Sequence, residues 1–411
     1  MTSIESPVAP LFTEEWGRLV AGLIRWCGDF DLAEECAQEA FAKAVEAWPR
    51  TGVPDNPAGW LATVARNAAR DRLRRRGVEA AKIALLAAEP ESPAEVEPIT
   101  DDRLRLIFTC CHPALAAPAR VALTLRTLCG LSVAEIARAY LVTESAMDKR
   151  LVRARSKIRG AGIPYRVPAP EQLPSRLDGV LQVLYLLFNE GYSATAGESL
   201  IRTDLSTEAI RLARLLIRLL PAEPRVRELL ALMLLTDARR AARTRDKEIV
   251  SLAEQDRTLW NAAQIAEGTS LLGSLSEELS EYGIQALIAA EHARAATAAE
   301  TDWAQIALLY ERLPATPVVE LNRAVALAEV HGPAVALAML DELAPDLAAY
   351  HLFHAAYADL AARASDQAAA VAAAERALEL APTGPERRFL AERAAAYRET
   401  LGATKRKSPP T

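Results

Sequence analysis

Aromatic residues make up only 5% of the 411-residue chain, which also has just 5 histidines, 5 cysteines and 4 methionines. So few rings, in a chain that is 51% hydrophobic and rich in Ala, Leu, Arg and Glu stretches, excludes a sheet protein and predicts an all-α fold. No run of about 18 uncharged apolar residues occurs, which excludes a membrane-spanning helix. Met1 to Pro10 has neither a basic start nor an apolar core, so no signal peptide and a cytoplasmic location are expected. Cys27, Cys36, Cys110, Cys111 and Cys129 are odd in number and lie in apolar helical patterns, as reduced, core-filling thiols do. Cys110, Cys111 and His112 lack the paired C-x-x-C spacing of a zinc site, and helical neighbours diverge by about 100 degrees. Neither a metal nor a cofactor is expected. With no Gly-rich phosphate loop and no nucleophile motif either, an enzyme is the least favoured class.

Charge is nearly balanced, with Lys+Arg 48 against Asp+Glu 54 and a formal net charge of -6. Any nucleic-acid surface must therefore be local. The length exceeds one core and predicts two or three domains. Punctuation divides the chain into a helical block over 8–77, an acidic extended linker over 78–100 containing EPESPAEVEPIT, and a second helical block over 101–163. A proline-rich connector over 164–174, a large helical block over 175–402 and a basic tail over 403–411, expected to be disordered, follow. In the large block Ala358, Ala370 and Ala377 fall where a tetratricopeptide (TPR) hairpin needs small residues, Pro382 closes its second helix, and His351 and His354 are expected to pack within that unit. A TPR-like array with a concave surface for a peptide or another domain is one reading, and an Ala-rich bundle with no groove the other. FNEGYSAT, Phe188 to Thr195, reads as an inter-helix loop broken by Gly191.

The stretch LSVAEIARAYLVTESAMDKRLVRARSKI, Leu131 to Ile158, predicts two helices and a turn. Ser132 with Glu135 forms a capping box. Thr143 caps a second helix, where Glu144 in the first turn suits the helix dipole. Met147, Leu151, Ala154 and Ile158 make one buried stripe. Ser145, Lys149, Val152, Arg153 and Ser156 then face away, an outward face able to enter a major groove, although Leu141 stands where such turns often hold Gly. A merely solvated basic helix fits this segment too.

A second basic helix, WLATVARNAARDRLRRR (Trp60 to Arg76), turns Leu61, Val64, Ala65, Ala68, Ala69 and Leu73 inward and Thr63, Arg66, Asn67, Arg70 and Arg74 outward. Six arginines on about 25 Å of helix suit a phosphate-tracking surface. The preceding loop, WPRTGVPDNPAGW, contributes Trp48, Asn56 and Trp60. Its tryptophans suit either an unstacked base or an anchoring role in the core. Upstream, DLAEECAQEAFAKAVEAW opens with Asp31 and Glu34 as a cap pair and exposes Glu35, Gln38 and Glu39, a docking surface for a basic protein partner.

In this order the motifs resemble those of bacterial RNA polymerase sigma factors of the extracytoplasmic-function (ECF) group. DLAEECAQEAFAKA is similar to the helix that binds core polymerase, WLATVARNAARDRLRRR to the -10 element reader, and the Leu131 to Ile158 pair to the -35 reader; together they span about residues 10 to 162. DDRLRLIFTCCHPAL and YLLFNEGYSAT resemble the subgroup with a C-terminal TPR-like domain.

The resemblance implies core RNA polymerase as partner, contacted through its β′ clamp and β flap, and promoter DNA as the second partner. It assigns Asp31, Glu35, Gln38 and Glu39 to polymerase, Trp48, Asn56, Trp60, Thr63, Arg66, Asn67, Arg70 and Arg74 to the -10 element, and Glu144, Ser145, Asp148, Lys149, Arg150 and Arg153 to the -35 element. Regulation is expected from the fused C-terminal domain, with intramolecular contact to two otherwise separate, flexibly linked heads as one route, and no membrane partner is expected. Two other classes remain open: a one-component helix-turn-helix regulator with a helical sensor domain, which leaves the first 76 residues unexplained, and a TPR scaffold, which ignores both basic helices.

Overall fold

The computed structural model describes residues 8–75, 102–140, 142–192, 203–245, 248–273 and 278–407. The acidic linker over 78–100, Leu141, residues 193–195 of FNEGYSAT and the last four residues of the tail lie outside the described residues. The described fold is all-α apart from a two-residue antiparallel ladder, β1 (Thr244–Arg245) with β2 (Glu248–Ile249). The chain divides into two compact units, 1–186 and 187–411.

The first unit holds α1 (Val8–Cys27), α2 (Phe30–Thr51), α3 (Pro57–Arg75), α4 (Asp102–Cys110), α5 (Ala117–Thr127), α6 (Val133–Ala139) and α7 (Glu144–Gly160). Helix α8 (Leu173–Tyr192) runs across the boundary between the units. Helix α2 begins because Asp29, in extended conformation, accepts a hydrogen bond from the Leu32 amide at 3.1 Å. This corrects the reading of Asp31 and Glu34 as the cap pair: Asp29 fills that role, and the helix turns Glu34 into the interior. Gly52, at φ 81, ends α2. Pro57 opens α3 at a position where its missing N–H costs nothing, and the Asn56 side chain accepts from the Gly59 amide at 2.9 Å.

Between α5 and α6 the expected capping box is present. The Ser132 amide donates to Glu135 at 2.7 Å, and the Glu135 amide donates to the Ser132 hydroxyl at 3.2 Å. Thr143 caps α7 by accepting from the Ala146 amide at 3.2 Å. Met147, Leu151, Ala154 and Ile158 are all buried, as their spacing requires. An aromatic cluster holds α1 to α2, with Phe12 5.0 Å from both Trp16 and Phe41 between ring centroids.

The second unit continues with α9 (Thr203–Leu219), α10 (Pro224–Asp237), α11 (Ala262–Gly273), α12 (Glu281–Arg294), α13 (Trp303–Glu311), α14 (Pro317–His331), α15 (Pro333–Leu347), α16 (His351–Arg363), α17 (Gln367–Leu380) and α18 (Gly384–Lys407). Helix α10 is apolar on every side through its middle turns, and from Leu229 to Leu235 every residue is buried. Such a helix must lie centrally, and α9, α11 and α12 pack against it. From α13 onward each helix packs on the next. Ala358, Ala370 and Ala377 are buried where α16 and α17 approach each other. Helical backbone extends to Lys407, into the first part of the stretch read from sequence as tail.

Candidate nucleic-acid interface

Helix α3 presents Thr63, Arg66, Asn67, Arg70 and Arg74 to solvent, while Leu61, Ala65, Ala68 and Ala69 are buried beneath. The face is an exposed cationic row with one amide in its middle, suited to phosphates and an exposed base edge. The loop before it divides the tryptophans. Trp48 is 3% exposed and packs edge-on against the half-buried Trp60, ring centroids 5.4 Å apart. Trp48 is thus an anchor of the loop with no ring face free for a base, and Asn56 commits its side-chain oxygen to the helix cap.

On α7 the residues Glu144, Ser145, Asp148, Lys149 and Arg153 are exposed and Arg150 is half-buried. A groove of about 690 Å³ runs beside them, walled by Leu115, Pro118 and Ala119 and by Ser145, Lys149, Arg150 and Arg153. The helix start is polar and the cations follow it, the arrangement that lets one helix contact base edges and then backbone.

On α2, Glu35 and Gln38 are exposed and Glu39 is half-buried. Lys43, at 2.8 Å, and then Arg72, at 3.1 Å, hold the Glu39 carboxyl below the usual carboxylate range. Arg72 also reaches Glu35 at 3.8 Å and donates to the Cys36 sulfur at 2.9 Å. The acidic face is therefore partly neutralised by an arginine from the neighbouring basic helix.

Asp31 is drawn elsewhere. It pairs with Arg155, and at 3.7 Å with Arg159, both from α7. Beside it Glu34, 3% exposed, accepts from Arg155 Nη2 at 2.7 Å, Arg126 Nε at 2.9 Å and the Thr127 hydroxyl at 2.9 Å. The Trp16 indole donates to the Thr127 carbonyl at 3.1 Å, and the Tyr165 hydroxyl donates to the Ala21 carbonyl at 2.9 Å. The two heads, expected to be separate, are packed together here by a buried polar cluster. The sequence assigns Glu34 to a cap and gives no role to Arg126, Thr127, Arg155 or Arg72. The available signal was a charge inside an apolar stripe: Glu34 falls in register with Phe30, Ala37 and Phe41, and Arg155 sits between Leu151 and Ile158.

Cys110 and Cys111 are buried, and burial pushes the Cys111 thiol up to about 11. Among the described residues no group of three or more His, Cys, Asp or Glu side chains could hold a metal ion, and no helix is long and apolar enough to cross a membrane. The second unit holds a cavity of about 760 Å³ lined in part by Arg257, His292, Trp303, Asp359, Phe389 and Arg393.

Comparison with known proteins bears on all three parts. The Sigma-70 region 2 family matches residues 11–78, and the Sigma-70 region 4 family matches residues 105–158. A family of unknown function, DUF6596, matches residues 176–276. An uncharacterized protein of Rhizobium meliloti (strain 1021) is 42% identical over 90% of this chain and 91% of its own length. A probable ECF RNA polymerase sigma factor, SigI, of Mycobacterium tuberculosis is 27% identical over 44% of this chain and 68% of its own. No solved structure matches.

Proposed function

Because the chain belongs to the sigma-70 family as an ECF-type factor with a C-terminal extension, binding core RNA polymerase and directing promoter-specific transcription initiation, we propose how its helices divide that work. The first head is residues 8–77 and the second 101–163, and residues 175–402 form a TPR-like domain that modulates them. The α2 face bearing Asp31, Glu35, Gln38 and Glu39 meets the β′ clamp, and the second head meets the β flap. The α3 row of Thr63, Arg66, Asn67, Arg70 and Arg74, with Trp60 at its start, engages the melted -10 strand. The α7 start, from Glu144 to Arg153, reads the -35 duplex. The protein works in the cytoplasm.

The observation that carries this assignment is the exposure of Arg66, Asn67 and Arg70 above a buried alanine face. Arg66 and Arg70 are exposed and so available to phosphate, while Arg74 lies 3.8 Å from Asp71 of the same helix. The work is binding energy applied to strand separation, with about 1–3 kcal/mol per stacked base where an aromatic ring serves. The test is co-purification of the full chain with core polymerase, followed by run-off transcription on genomic fragments. Start sites that vanish when Arg66, Arg70 and Arg74 are reversed in charge, with polymerase binding kept, support the assignment. Loss of polymerase binding as well would mean that these arginines hold the fold instead.

A further inference from the structure

The cavity of the second unit exists because part of its wall is small. Ala355 and Ala358 of α16 and Ala374 of α17 line it where longer side chains would fill it. The facing wall comes from distant parts of the unit: the segment from Ser251 to Arg257, and Phe389, Arg393 and Tyr397 of α18. Helix α18 packs on β2, where Arg388 meets Glu248 at 2.7 Å. The last helix of the array thus returns to the stretch before α11 and closes the space. A volume of about 760 Å³ falls within the about 300–1,000 Å³ typical of small-molecule sites.

Charge around the cavity is matched everywhere but at one end. Asp359 pairs with Arg393 at 2.6 Å and Glu329 with Arg363 at 2.5 Å. Glu254, exposed at the rim, accepts from the Ser251 hydroxyl at 2.7 Å. Arg257 has no carboxylate partner among the described residues; Glu300 acts on it without forming an ion pair. Its Nη1 donates to the His292 and Ala295 carbonyls, both at 2.6 Å, and its Nη2 to the Thr301 hydroxyl at 3.3 Å. Three bonds leave two of a guanidinium's five N–H groups without an acceptor. His292 beside it adds no charge, because burial and then Arg239 and Arg257 push the ring down to about 4. Its Nδ1 has no hydrogen-bond partner. Rings frame this end: Trp303 stands edge-on to His292 with centroids 5.2 Å apart, and the half-buried Phe389 and Tyr397 lie across the cavity beside Arg393.

We propose that this cavity binds a small aromatic carboxylate, with its acid group on the remaining N–H groups of Arg257 and its ring among Trp303, Phe389 and Tyr397. One unpaired guanidinium beside a neutral imidazole supplies one positive charge, which a monoanion balances. A carboxylate also matches the planar fork of a guanidinium with two parallel hydrogen bonds. A phosphate dianion would carry into the cavity a charge that no side chain offsets. The site stands whether or not the second unit modulates the heads.

The test is isothermal titration of the full chain with benzoate, phenylacetate and naphthoate, each compared with its own carboxamide. At least one acid should bind, about tenfold or more tighter than its amide, the difference expected when a charged hydrogen-bond acceptor is replaced by a neutral one. Arg257→Gln should abolish that preference and leave the amide's binding as it was. Arg257 also ties down the end of α12; were that its whole role, the variant would weaken acid and amide alike, which would overturn the proposal. Ala299→Trp, at the exposed rim of the cavity, should weaken acid and amide together. Binding that this variant leaves intact lies elsewhere on the chain and counts against the site. Equal affinity of every acid and its amide, or no binding by any of these compounds, would also sink it. If Arg257→Gln does not fold, the acid and amide comparison and Ala299→Trp decide.

Discussion

Gly130, in the turn between α5 and α6, offers a test of how the second head is seated. Its φ is 78, and a Cβ added there would lie 2.8 Å from two carbons of the Phe12 ring and 3.0 Å from Trp16. Two costs combine in Gly130→Ala. A left-handed backbone costs an L residue about 1 kcal/mol, and forcing a methyl against packed rings adds about 1–3 kcal/mol. Gly162 separates them: its φ is 60, but a Cβ there meets nothing within 4 Å. Gly162→Ala should lose about 1 kcal/mol and Gly130→Ala about 2–4 kcal/mol. At about 2–4 °C per kcal/mol for a unit of this size, the melting shift should be clearly larger at Gly130. Thermal unfolding followed by tryptophan fluorescence reads it, because Trp16 is itself in the contact. Equal losses at the two glycines would refute the packing of this turn on α1, and with it the closed arrangement of the heads.

Reversing charge at Lys149 and Arg153 should weaken binding to -35 duplex DNA and flatten its salt dependence by about 0.9 for each phosphate no longer neutralised, measured by anisotropy over a salt series; an unchanged slope would mean that neither side chain meets phosphate. Trp48→Ala should cost about 3–5 kcal/mol of stability, since the ring is 3% exposed, whereas a loss of DNA melting at unchanged stability would make Trp48 a base-binding residue after all. His292 is held down to about 4 by burial, with Arg239 and Arg257 adding to it, against an ordinary 6.5. Because the unfolded chain binds this proton first, its contribution to stability is present above pH 6.5 and is lost as pH falls towards 4, by roughly 3 kcal/mol at most. Denaturation between pH 7 and 4 should therefore be less steep in pH for His292→Gln than for the wild type, and matching slopes would show that His292 takes up its proton equally in the folded and unfolded chain, so that burial does not hold it down.

Sequence alone determined the helical class, the capping box at Ser132 and Glu135, the buried stripe of α7 and the arginine row of α3. Each of these is written in local periodicity, and a helix displays its own faces whatever it packs against. Sequence also divided α2 into an inward and an outward face, but it took Glu34 for a cap. The error is physical: a carboxylate near a helix start suits the dipole, and only the arrival of Arg126 and Arg155, residues 92 and 121 positions away, makes a buried site tolerable. The same distance hid the sharing of Asp31 with Arg155. What the helices are was therefore local information. That the two heads lie against one another, with Asp31 and Glu34 paired to Arg155 between them, was decided by tertiary structure, because pairing of buried charges depends on partners that no local period can reveal.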